Sequence, residues 1–318
     1  MSSKKQITKD QHWIPRFYLS QFVDKAIVKG RPEFWVYETA RALKEEKYEP
    51  TRQTPKSFAN KNFFYETPVL PTNTIEDILQ KIEDKFAKVL ESKMLKGLEL
   101  TEKDKYWVSL FIGTFETRTI ASKENIDSFN KRLLEQAISL EKQYANGRVS
   151  DTHKKLVNSI DGNIAFAQQI AVAMEMNRWS IISDFQFLTI KEDSDYHFLT
   201  GNNPVCLYDM TEMNGFYGIA PLSPTVEVTV PLTPKITLFI NNTGKSGYLD
   251  LSYNLNYVEE VNNRTLHYNS EFLISSKKVD HYFFERTLKH HRQSLILLNQ
   301  ADEIMTGMEE RQKKKLNL

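Results

Sequence analysis

The amino-acid sequence predicts a mainly helical α+β fold, and three observations carry that expectation. Apolar residues recur at helical spacing from about residue 74 to 180. Short runs of β-forming residues, punctuated by Pro, Gly and Asn turns, fill about 183 to 276. Neither an internal repeat nor a low-complexity linker separates these parts, so they are expected to share one core in a single domain of residues 11–285. Residues 1–10 and 300–318 are polar and charged and are expected to be flexible tails.

Ahead of the helical block, Pro15 suits the first turn of a short helix, where its missing N–H costs nothing. Tyr18, Leu19, Phe22 and Val23 form its apolar face. Residues 34–39 (FWVYET) read as a strand, 40–60 as a long polar connection, and 62–67 (NFFYET) as a second extended piece. Thr74 is expected to cap the first long helix, with Asp77 three residues on and Ile75, Leu79, Ile82, Phe86 and Leu90 in its stripe. Gly97 suits the stop. Thr101 opens the next helix, with Asp104 three residues later and Trp107, Leu110, Phe111, Thr114 and Phe115 on one face; Arg118 falls on that face too. Helical spacing resumes over 124–146 through Ile126, Phe129, Leu133 and Ile138, and a fourth helix is expected from about 152 to 178. Then the period changes. Residues 185–190, 196–201, 205–209, 226–230, 236–240 and 272–275 read as strands, with a helix over 255–269.

Composition limits the function classes. With 318 residues and 40% hydrophobic content the chain can bury a full core without staples. Lys+Arg is 42 against 41 Asp+Glu, so no global field recruits nucleic acid or an acidic membrane. The one cysteine, Cys206, lies in an apolar strand and reads as a buried, inert thiol; it rules out an intrachain disulfide and a cysteine zinc site. No apolar leader opens the chain, and no run reaches the ~18 apolar residues of a membrane span. A soluble, cytoplasmic protein with no membrane partner is expected. The phosphate-cradling P-loop, the dinucleotide glycine fingerprint, the nucleophile elbow and the H-E-x-x-H zinc motif are all absent. The seven histidines lack ligand spacing, so no metal is expected and no cofactor is indicated.

A few polar residues stand out against this background. His12 precedes the expected helix start at Pro15. The free N–H groups there disfavour an imidazolium, so a neutral His12 either accepts a proton or a hydrogen bond or binds a metal, or it simply caps the helix or packs with Trp13. Arg16, about one turn on, either grips a carboxylate or phosphate or is an ordinary surface cation. Arg118 shares a face with aromatic residues, and a buried guanidinium needs an anion: an internal Asp or Glu, or a ligand. The turn Gly201-Asn202-Asn203-Pro204 follows a strand and presents two amides, either as site residues or as a plain turn.

The segment Gln11-His12-Trp13-Ile14-Pro15-Arg16-Phe17-Tyr18-Leu19, with Phe22 after it, resembles the opening of domain-of-unknown-function family 4238. The resemblance extends through Trp35-Val36-Tyr37, Asn62 to Tyr65, Arg118, Phe198 to Val205 and Pro221-Leu222-Ser223-Pro224, covering about residues 11–275. The chain departs at Gly201 and Asn202, where the family usually has Ser and Asp. The resemblance implies a fold and no settled activity, but it singles out the same polar residues. His12, Arg16, Arg118 and Asn203 are therefore taken as candidate catalytic residues, with Gln11, Tyr18 and Asn202 as substrate-binding ones. The expected function is a hydrolase, nuclease-like, acting on a phosphate-bearing or nucleic-acid substrate, although net charge gives nucleic acid no support. A non-catalytic module binding an anionic ligand and a defence-type effector are the alternatives.

Overall fold

A computed structural model describes residues 8–24, 30–66, 70–144, 151, 167, 169–171, 173–174, 183–209, 225–290 and 294–295. Most of the expected helix at 152–178, the segment Pro221 to Pro224 and the tail at 300–318 lie outside the described residues. In chain order the elements are β1 (Asp10–His12), α1 (Arg16–Ser20), β2 (Phe34–Glu38), α2 (Thr39–Ala42), β3 (Thr51–Gln53), β4 (Asn60–Asn62), α3 (Thr74–Ser92), α4 (Glu102–Thr117) and α5 (Ile120–Tyr144). There follow β5 (Asp184–Thr189), β6 (Thr200–Gly201), β7 (Cys206–Tyr208), β8 (Glu227–Thr233), β9 (Ile236–Asn241), β10 (Gly247–Asp250), α6 (Leu255–Tyr268), β11 (Phe272–Ser275) and α7 (His281–Lys289). The fold is α+β, as expected. No helix among the described residues is long and apolar enough to cross a membrane.

The chain divides into two compact units. The N-terminal unit comprises Met1–Leu19, Pro55–Ser92 and Thr101–Arg178. Its core is aromatic. Phe86 of α3 stacks on Phe111 of α4 with centroids 3.9 Å apart, and Phe17 lies 5.8 and 5.6 Å from the two. Helical periodicity places these rings together, and each such pair adds about 0.5–1.5 kcal/mol beyond its buried area. Thr101 and Asp104 close the expected capping box at the start of α4. Thr74 begins α3 rather than capping it; its hydroxyl donates to the Pro71 carbonyl at 2.5 Å. Gly113 has no side chain because the Ala173 carbonyl would lie 2.7 Å from a Cβ there. α5 forms as the apolar spacing predicts, yet none of its described side chains is buried, and Phe129 stays 56% exposed. Periodicity specifies the helix; burial also needs a facing partner.

Two expectations near the N-terminus are corrected. The aromatic run after Asn62 is a turn, not an extended piece, with Phe63 at φ 55°. The connection at 40–60 is not structureless: it contains α2, β3 and the start of β4, and β4 pairs antiparallel with β1, His12 opposite Asn60.

The C-terminal unit comprises Ser20–Thr54, Lys93–Leu100 and Trp179–Leu318. It holds a five-stranded sheet ordered β10-β5-β9-β8-β7 and a four-stranded sheet ordered β3-β2-β11-β6. α6 serves both. Val258 and Val261 pack with Leu188 and Phe239 of the larger sheet, while Leu266 packs with Tyr37 and Leu273 of the smaller. That double contact is why α6 is buried around most of its circumference. Residues 196–201 form a strand only at Thr200–Gly201, because side chains take the place of a ladder. The Asn262 amide accepts from the Leu199 N–H and donates to the His197 carbonyl, and Lys235 donates to the Tyr196 carbonyl.

Candidate functional site

The N-terminal unit concentrates ionisable side chains where α4 ends. Arg118 is the last helical cap residue, its N–H bonded to the Thr114 carbonyl at 3.2 Å. The Thr114 hydroxyl folds back on the Leu110 and Phe111 carbonyls, and the Arg118 guanidinium lies 5.4 Å from the Phe115 ring centroid. The side chain is 1% exposed. Nη1 donates to Glu83 Oε1 at 2.5 Å, and Glu83 is 23% exposed. Among the described residues, neither Nε nor Nη2 meets an acceptor. Most of the donor fork is thus buried and unmatched, which costs roughly 1–3 kcal/mol per orphaned group.

Glu76 and Glu83 are seven residues apart on α3, two helical turns, and so share a face. Burial, reinforced by Glu83, raises the Glu76 carboxyl to about 7, with Arg118 pulling the other way. Tyr65 is fully buried beside the same groups. Burial holds its phenol far above the ordinary range, and its hydroxyl donates to the His12 carbonyl at 3.2 Å. The Tyr65 N–H donates to Gln11 Oε1 at 2.7 Å, and the Gln11 amide donates to Glu66 and to the Thr8 carbonyl. Gln11 is therefore the brace that fixes β1 against the Phe63–Tyr65 turn.

His12 sits on β1, not at a helix cap. α1 has only five residues and begins at Arg16. The His12 Nε2 faces the Lys56 carbonyl at 3.3 Å, an acceptor, so Nε2 carries the proton and Nδ1 is left as a base. Burial lowers the His12 pKa, the Lys56 carbonyl offsets part of this, and the Arg16 and Arg118 guanidiniums lower it further. Desolvation and two arginines, rather than a helix N-terminus, are what favour a neutral imidazole here. Arg16 itself is exposed, and Tyr18 is buried edge-on to Phe115 at 4.9 Å.

The structure thus places His12, Arg16 and Arg118 within one electrostatic neighbourhood, with Glu76, Glu83 and Tyr65 added. Asn202 and Asn203 belong to the other unit. There Asn202 Oδ1 accepts from the Glu271 and Phe272 N–H groups, tying the turn to β11. The Asn203 N–H donates to Asn269 Oδ1 at 2.5 Å, and Asn203 Oδ1 is buried without a partner among the described residues. Gly201 is obligatory, since a Cβ would stand 2.4 Å from Asn269 Oδ1 and 2.5 Å from the Phe272 carbonyl.

Sequence reasoning missed Glu76 and Glu83. Their one signal was two carboxylates at a seven-residue spacing beside an apolar stripe. It also missed the polar core of the C-terminal unit, where Arg264 bonds Glu260 at 2.7 Å and Glu227 at 2.8 Å and lies 4.0 Å over the Tyr208 ring. A run such as Glu259-Glu260-Val261-Asn262-Asn263-Arg264 reads as solvent-facing unless its partners are known. Among the described residues no group of three or more His, Cys, Asp or Glu side chains can hold a metal ion.

Comparison with known proteins gives one positive result. The family model described as "Protein of unknown function (DUF4238)" matches residues 10–279. No curated protein and no solved structure matches the chain.

Proposed function

The chain belongs to the DUF4238 family, and from that premise we propose that its N-terminal unit is an anion-binding, acid–base site that hydrolyses a phosphate-bearing substrate in the cytoplasm. The observation that carries the proposal is the Arg118 fork: a guanidinium 1% exposed, paired to one carboxylate, with Nε and Nη2 unmatched among the described residues. A phosphoryl group presents the acceptors this fork lacks. Arg16 would add a second positive charge. His12, neutral and protonated on Nε2, offers Nδ1 to take a proton from an attacking water. Glu76, raised to about 7, can hand a proton to the departing oxygen. Water oxygen bonds to phosphorus, the ester P–O bond breaks, and the two protons move to His12 and from Glu76. The site needs residues of this unit only.

A second reading, a non-catalytic anion sensor, is favoured by the Arg118–Glu83 pair. An entering anion must share the guanidinium with a carboxylate 23% exposed, and that exchange is itself a switch.

The experiment is a turnover assay of the full chain with p-nitrophenyl phosphate and bis(p-nitrophenyl) phosphate, which separate monoesterase from nuclease-like chemistry. Hydrolysis falling about a hundredfold in His12→Ala, with the melting temperature kept, supports the enzyme. No turnover of either ester, with phosphate still raising the melting temperature through Arg118, leaves the sensor. The absence of both turnover and phosphate stabilisation removes both readings.

A further inference from the structure

The C-terminal unit contains a cavity of about 700 Å³, the size of an ordinary small-molecule site. Its wall is amphipathic. Val23, Leu95, Ile236 and the indole of Trp35 supply apolar surface, and Lys235 and Lys277 supply charge.

Both kinds of group are held in place. Trp35 stands on β2 with its indole N–H donating to Asp24 at 3.4 Å and the Arg52 guanidinium 4.4 Å from its ring centroid. Lys235 follows the bulged end of β8, and its ammonium donates to the carbonyls of Ser194 and Tyr196, each at 2.7 Å. An ammonium has three N–H donors, so one remains beyond these two bonds. Lys277 lies close enough to lower the Lys235 pKa, after burial. Glu192, which also lines the cavity, acts on Lys235 through space together with Asp193 and Asp195, while Asp24 accepts from the indole and Lys278 is paired to Glu49 at 2.5 Å. Among the described residues, then, neither Lys235 nor Lys277 has a carboxylate partner.

Two ammonium groups with no carboxylate partner among the described residues, beside a fixed aromatic wall, match a particular shape of ligand. We propose that this cavity binds a small amphipathic organic anion, its planar apolar body against Trp35 and its oxyanion head at Lys235 and Lys277. Trp35 and its apolar neighbours provide the desolvated surface that fixes the body, and the preorganised Lys235 fixes the position of the head. The site shares no residue with the Arg118 group and stands whether or not that group is catalytic.

The test is calorimetric titration of the full chain with 2-naphthoate and, as a neutral counterpart, 2-naphthalenemethanol. The expected result is saturable one-to-one binding of the acid, roughly tenfold tighter than the alcohol. Lys277→Gln, an exposed position, should weaken naphthoate roughly tenfold and leave the alcohol unchanged. Arg118→Met should leave naphthoate binding intact. Absence of saturable binding, equal binding of acid and alcohol, or insensitivity to both Lys277→Gln and Lys235→Gln would overturn the assignment, as would loss of binding in Arg118→Met.

Discussion

Replacing either partner of the Arg118–Glu83 pair should have unequal effects, and the inequality follows from burial. Arg118 is 1% exposed and Glu83 23%, joined by one bond of 2.5 Å. Glu83→Gln keeps an acceptor but removes the charge, leaving a buried guanidinium with no ion partner at that bond. Removing one member of a fully buried pair costs about 3–5 kcal/mol; the partial exposure of Glu83 brings the expectation to about 2–4 kcal/mol. Arg118→Met keeps most of the aliphatic packing against Phe115, leaves Glu83 able to hydrate, and abolishes two orphaned buried groups worth about 1–3 kcal/mol each. Those terms offset the lost pair, so Arg118→Met should lie within about 1 kcal/mol of the parent. Thermal unfolding by circular dichroism at pH 7.5 reads the contrast, at about 2 °C per kcal/mol for a chain of this size. Equal losses, or a larger loss in Arg118→Met, would show that the fork is satisfied in solution and that no acceptor is missing.

Three further outcomes follow from the same reasoning. Glu76 has a folded pKa of about 7 against an ordinary 4.5, so its ionisation opposes folding above pH 7 and the penalty fades as pH falls toward 4.5. Glu76→Gln should therefore stabilise by about 1 kcal/mol at pH 8, allowing for solvent screening, and make no difference at pH 5, by urea denaturation at each pH. His197 is held neutral by burial, lowered to about 4 from 6.5, so stability is whole above pH 6.5 and lost as pH falls toward 4. His197→Gln should remove about 2–3 kcal/mol of the parent's loss between pH 7 and 4.5, and an unchanged acid profile would contradict the burial argument. Gly201→Ala drives a methyl to 2.5 Å from the backbone carbonyl of Phe272, and it should cost about 1–3 kcal/mol in the same assay; full stability would mean that the turn and β11 sit farther apart.

Where the sequence was legible, a local rule decided the outcome. The apolar stripes of α3 and α4 and the Thr101–Asp104 capping box are properties of neighbours in the chain, and they read directly. So did the strands β5, β8, β9 and β11, each a run of β-branched and aromatic residues. β10 was missed because it is short, glycine-led and at a sheet edge, pairing in parallel with β5. α7 was missed although Asp280 caps it, accepting from the Phe283 N–H at 2.9 Å. Of the candidate site, Arg118 was legible because a cation on an aromatic face demands an anion. Its partner was not, because Glu83 lies 35 residues away on another helix and only packing joins them. His12 was legible as a polar residue but not in its setting, since the helix starts four residues later and the shift in its pKa comes first from burial.

The central claim is that Arg118 awaits an anion, and ligand-linked stability tests it most directly. The melting temperature of the parent chain and of Arg118→Met would be followed against inorganic phosphate, with sodium chloride at matched ionic strength to account for general ionic effects. Saturable stabilisation of the parent, reaching about 2.7 kcal/mol at a hundred times the dissociation constant and absent from Arg118→Met, is the predicted result. Parallel curves for the two chains would place any phosphate elsewhere and contradict the account.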